Sequence, residues 1–139
     1  MENPKSLSFV IDWLYGRYRP CYDKVSYDDC APLYTLARKF GIDRLAEGVA
    51  WRYKQHANTK ATADVEEVLS TLEEQAKEIF CGTVSGDRGL RDPLVELVLH
   101  KLRFVKTEEH RGLLRQALCT SESFACEITM KLVEALPKP

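Results

Sequence analysis

One period runs through this chain almost from end to end. Apolar residues recur three and four positions apart in nearly every segment, and no run alternates apolar with polar as a half-buried strand would. A chain so patterned can bury its apolar surface only by packing helical stripes together. It predicts an all-α array of six to seven helices, packed as antiparallel hairpins.

The stripes can be followed in order. Leu7, Val10, Ile11 and Leu14 form the first, after Pro4 and a capping Ser6. Asp28 or Asp29 is expected to cap the second helix, with Pro32 in its first turn and Leu33, Leu36, Ala37 and Phe40 inward. Gly41 suits a left-handed stop. Asp43 can cap the third helix, which turns Leu45, Ala46, Val49, Ala50 and Tyr53 inward, and residues 58–62 read as a flexible linker. A fourth helix over 63–80 carries Val65, Val68, Leu69, Leu72, Ala76, Ile79 and Phe80, and the glycine-rich 81–89 reads as a loop.

Asp92-Pro93 reads as a cap followed by proline at the first helical position. The helix it opens has Leu94, Val95, Leu97, Val98, Leu99 and Leu102, apolar on most sides, which predicts a central buried helix. Thr107 begins a sixth helix, with Leu113, Leu114, Ala117 and Leu118 inward. Ser121 or Ser123 begins a last one, with Phe124, Ile128, Leu132, Val133 and Leu136 inward. A short extended piece is expected near 18–22.

Composition removes several classes of function. The 139 residues carry 20 basic and 21 acidic side chains, so no bulk charge draws the chain to nucleic acid or to an anionic membrane. Apolar runs are too short to span a bilayer, and the first residues lack the pattern of a signal peptide. Five cysteines at irregular spacings, an odd number, predict free thiols in a reducing, intracellular setting, in the cytoplasm or nucleus.

No catalytic or ligand spacing stands out. Cys119 and Cys126 are seven apart with no histidine beside them, and His100 and His110 fall on different helices, so no metal site is expected. The three glycines of 82–89 lack the order of a phosphate-binding loop. No cofactor is expected. Paired glutamates at 66–67, 73–74 and 108–109 sit on polar faces or in a first helical turn. A cysteine-dependent enzyme would place its thiol best at Cys30, in a helix's first turn, although a small buried side chain explains that position too. A helix-turn-helix DNA-binding module is the stronger alternative, with helices at about 28–40 and 43–57 joined at Gly41. Its reading helix would offer Arg44, Arg52, Lys54 and Gln55, against Asp43 and Glu47 near its start. The remaining candidate is an interaction surface. Tyr15, Arg17, Tyr18, Arg19 and Tyr22 crowd in and beside the first loop, and tyrosine and arginine are enriched where proteins bind one another.

The order of segments adds a resemblance. "FVIDWLYGRY", then "LYTLARKFGIDRLAEGVAWRY", then "GLRDPLVELV" together resemble the second half of BTB/POZ domains, especially the fungal-type ones. Trp13, Leu14, Tyr15 and Gly16 match the family's Trp-Leu-Tyr helix and the loop after it. Leu33, Tyr34, Leu36, Ala37, Lys39 and Phe40 match the next helix, Ile42 and Leu45 the one after, and Leu90, Arg91, Leu94 and Val95 the helical extension. The resemblance implies one all-α domain over 1–139, with BTB-like C-terminal helices at 6–57 and a BACK-like extension at 63–136. It implies a non-enzymatic adaptor or scaffold that docks a protein partner or a second copy, a homo-oligomer. In the family the strand-containing half precedes the Trp-Leu-Tyr helix, whereas here Met1 is followed at once by that helix. A cullin-type ubiquitin ligase scaffold, a partner the family offers, draws largely on that missing half.

Overall fold

The computed structural model describes residues 4–15 and 25–136. Seven helices make up the array: α1 (Pro4–Leu14), α2 (Tyr27–Lys39), α3 (Asp43–Lys60), α4 (Val65–Gly82), α5 (Arg91–Leu102), α6 (Glu108–Thr120) and α7 (Glu122–Ala135). No strand occurs among the described residues. The expected extended piece at 18–22 lies outside them.

Local chemistry explains most boundaries, with several shifts of register. Gly41 stops α2 with φ +70. Its N–H donates to the Arg38 carbonyl at 3.1 Å and that of Ile42 to Ala37 at 2.9 Å, the paired bonds of a Schellman turn. Thr107 caps α6 by accepting from the His110 N–H, and Ser121 caps α7 by accepting from that of Phe124. At four other starts the expected capping side chain is displaced. α1 begins at Pro4, so Ser6 lies inside it and is buried. α2 begins after Ser26, whose hydroxyl donates to Asp29 instead of capping, and Asp28 and Asp29 fall in the first turn. Pro32 therefore stands one turn further in than expected. Asp43 is the first residue of α3, and Asp92 and Pro93 follow Arg91 inside α5. In each of these four the helix reaches further back than its polar signal. Acidic residues in a first turn complement the helix dipole without capping it.

The linker expected at 58–62 is largely helix. α3 runs to Lys60, and a tight turn leads straight into α4. The Lys101 ammonium, almost fully buried, donates to the Ala63 carbonyl and pins that turn to α5.

α2 and α3 pair across the Gly41 turn, and α1 lies on α2. α4 packs most extensively on α6 rather than on a neighbour in sequence, while α5 touches α3, α4 and α7. Tyr34, Leu45, Val49, Tyr53, Leu72, Ile79, Leu94 and Phe124 are fully enclosed at the centre, each large side chain contributing about 1.5–3 kcal/mol on burial. Leu94, Val95, Leu97 and Val98 of α5 are buried as expected of a central helix, with Leu99 and Leu102 half-buried.

On α6 only Ala117 is buried, with Leu113, Leu114 and Leu118 half-buried, and on three other helices residues that the spacing turns inward are exposed. On α1 only Val10 of the expected four is buried, while Ile11 and Leu14 are exposed. Phe40 ends α2 facing outward. On α7 Phe124 and Ile128 are buried, but Leu132, Val133 and Leu136 are exposed, as is Met130. Residues four apart on a helix drift by about 40° per step, because four residues slightly exceed one turn. The ladder Phe124, Ile128, Leu132, Leu136 therefore winds off the core, and Val133 and Met130 lie further round the same way.

Candidate functional site

α2 and α4 approach closely at one glycine. A Cβ on Gly82 would lie 2.7 Å from Thr35 Cγ2, so only glycine allows so close an approach. Toward the start of α2 the seam opens into a groove of about 480 Å³, lined by Asp28, Ala31 and Pro32 from α2 and by Glu74, Gln75, Lys77, Glu78, Cys81 and Gly82 from α4. On the other side of Gly82 lies a separate hollow of about 450 Å³, lined among others by Arg38, Lys39, Thr83 and Asp87.

The second hollow is braced by fixed ion pairs. Asp87 accepts from the Tyr34 hydroxyl and from the Gly89 N–H at 3.3 Å, and pairs with Arg38 Nε at 3.2 Å. Arg38 also bonds Asp43 at 3.0 Å, clasping the α2–α3 turn. Burial, then the bond to Asp87, pushes the Tyr34 phenol up to about 12, so it stays a proton donor at neutral pH. Nearby, Arg91 is almost fully buried. It donates to Thr83 Oγ1 at 3.0 Å and to the carbonyls of Thr83 and Phe80 at 2.7 and 3.3 Å, and stacks 4.6 Å from the Phe80 ring. A cation on carbonyls at the end of α4 complements its dipole. Arg88 closes the loop by pairing with Asp92 and Glu127. These arginines hold the glycine-rich loop in place, and none is free for an incoming ligand.

A second polar group lies in the core. Tyr27 stacks on Tyr53 at 5.2 Å with their hydroxyls 3.4 Å apart, and the His56 ring nitrogen bonds the Val25 carbonyl at 2.8 Å. Burial raises both phenols, Tyr27 to about 12, which removes them from acid–base work near neutrality.

The residues singled out by the sequence are scattered. Tyr15 is 76% exposed at the end of α1. Arg17, Tyr18, Arg19 and Tyr22 lie outside the described residues. Cys30 is fully buried, and burial, only partly offset by Arg52, pushes its thiol up to about 12. The first-turn position is overridden by desolvation. Cys81, Cys119 and Cys126 are exposed, and among the described residues no group of three or more metal-ligating side chains comes together. Arg44 and Lys54 of the would-be reading helix are exposed, but Arg52 and Gln55 are half-buried and Arg52 Nε is shut from solvent.

Gln75 is the residue that sequence reasoning passed over. It sits among the glutamates of α4, yet it is three residues after Leu72 and four before Ile79, on the buried face, and is only 4% exposed. That spacing was the available signal. No helix among the described residues is long and apolar enough to cross a membrane. No family model, curated protein or solved structure matches this chain.

Proposed function

We propose that this chain is a non-enzymatic protein–protein interaction module, similar to the C-terminal helical part of BTB/POZ proteins, that docks a partner protein or a second copy. The observation that carries this reading is the outer face of α7. Met130, Leu132, Val133 and Leu136, 45–65% exposed, stand on its last two turns, where the apolar ladder winds progressively away from the buried Phe124 and Ile128. That is an apolar stripe wider than about 100°, the kind a helix normally presents to another protein surface. The buried phenols and the raised Cys30 thiol support a reading without acid–base or nucleophilic chemistry.

Light scattering and dye binding on the 139-residue chain test it. The expected result is a mass that rises with concentration, or a monomer that binds an apolar dye, either one abolished by Met130→Glu with Val133→Glu. A monomer with no dye binding, or association untouched by that pair, would overturn it.

A further inference from the structure

α1 is more apolar than its place in the fold requires. At about 100° per residue, Lys5, Ser8 and Asp12 share one sector of roughly 60°, and apolar residues occupy most of the rest. α2 covers only part of this surface. Ser6 and Val10 are buried, Leu7, Phe9 and Trp13 are half-buried, and Ile11, Leu14 and Tyr15 are exposed. Among the described residues α2 is the only helix on which α1 packs to any depth. A hollow of about 40 Å³ lies between Lys5, Ser6 and Phe9 of α1 and Val25, Asp29 and Leu33. Lys5 bonds Asp29 at 2.7 Å but is 75% exposed, and an exposed ion pair holds a helix weakly. The largest fully enclosed side chains, among them Tyr34, Tyr53, Leu72 and Phe124, all lie outside α1.

A helix that shares so little burial with the rest opens at lower cost than the whole molecule. We propose that the α1 seat on α2 is a helix-exchange interface: α1 leaves it as a unit while α2–α7 stay folded, and the α1 helix of a second copy takes its place. Complementarity already present fixes the occupant, since a second copy brings the same Lys5 to Asp29 and the same Val10 to the core. Residues 16–24 join Tyr15 to Val25, a length of chain that spans up to about 30 Å, enough to reach a neighbouring seat. Exchange remakes the same α1–α2 contacts, so what favours it is the surface the closed chain leaves uncovered. With both seats within one linker's reach, Ile11, Leu14 and Tyr15 of the two α1 helices can cover one another. The exchange names a second copy as partner but uses no residue of α7, so it stands or falls apart from that face.

Hydrogen exchange on the full chain, followed by mass spectrometry, tests the opening. Amides of α1 should exchange at least about a hundredfold faster than those on the buried face of α4, and Val10→Ala should speed α1 alone. Protection of α1 equal to that of α4 would show that it is no separate unit. Native mass spectrometry at low salt reads the exchange, in chains that also carry Met130→Glu and Val133→Glu. Lys5→Glu and Asp29→Lys each set like charges on their own seat, whereas exchange between the two chains gives one reversed pair and one original pair. On mixing, the heterodimer should exceed each homodimer by about tenfold, against about twofold for random pairing, and the excess should fade in high salt. If Asp29→Lys does not fold, isotope-labelled and unlabelled chains at millimolar concentration should still form a mixed dimer, abolished by Ile11→Glu with Leu14→Glu. Charge-reversed mixtures that pair at random, or chains that stay monomeric at that concentration, would overturn the exchange.

Discussion

Cys30 shows how burial outweighs position. A cysteine in a helix's first turns sits where the dipole favours a thiolate, yet complete enclosure raises this one to about 12. The thiol thus stays protonated far above neutrality, because its charged form would have to leave water. Iodoacetamide at pH 8 should label Cys81, Cys119 and Cys126 readily and leave Cys30 unmodified until the chain is unfolded, as read by mass spectrometry of peptides. Rapid labelling of Cys30 in the folded chain would contradict the burial and revive a nucleophilic role. Gln75 shows the opposite case, a polar residue placed by its spacing where only apolar neighbours are expected.

Between helices, small residues set the geometry. The α2–α4 seam closes at Gly82 against Thr35 and opens toward Gln75, so one missing Cβ positions the groove. Gly82→Ala should destabilise the fold by about 1–3 kcal/mol, the usual cost of forcing a methyl into a packed contact. Thr35→Ser removes the opposing Cγ2 and should recover most of that loss. Urea denaturation of the two single variants and the double variant measures the coupling. Additive losses would mean that the two positions do not meet. α7 is asymmetric in the same way. Its first half is anchored by the Ser121 cap, Phe124 and Ile128, and its last two turns lie wholly on the surface.

For the molecule as a whole, acid sensitivity should arise partly where α1 meets α2. Lys5 bonds Asp29 at 2.7 Å, and that bond, outweighing burial and helped by Ser26, holds the Asp29 carboxyl below its usual range. A depressed carboxylate contributes stability that is fully present above its unfolded pKa and is lost as pH falls through its folded value. Denaturant unfolding at pH 6 and at pH 3 should show Lys5→Met less stable than the parent at the higher pH, with the gap narrowing at the lower. Because Lys5 is largely exposed, the effect is small and should fade in high salt. A gap unchanged with pH would detach Asp29 from the acid limb.

Much of this architecture could be read from residue order. Helix formation is local, since each backbone bond spans four residues, so the apolar period, the Gly41 stop and the Thr107 and Ser121 caps announce themselves in the chain. The buried faces of α4 and α5 followed for the same reason. What lies across from a stripe is not local. Leu69 and Leu132 look alike as members of helical ladders, but α4 has α6 against it and Leu69 is buried, while Leu132 near the end of α7 is left exposed. The pairing of α4 with α6, the exposure of the last turns of α7, and the groove that gathers Asp28 and Gln75 from 47 positions apart all depend on contacts between distant segments. Those are settled by which surfaces exclude water together, and no local period encodes that choice.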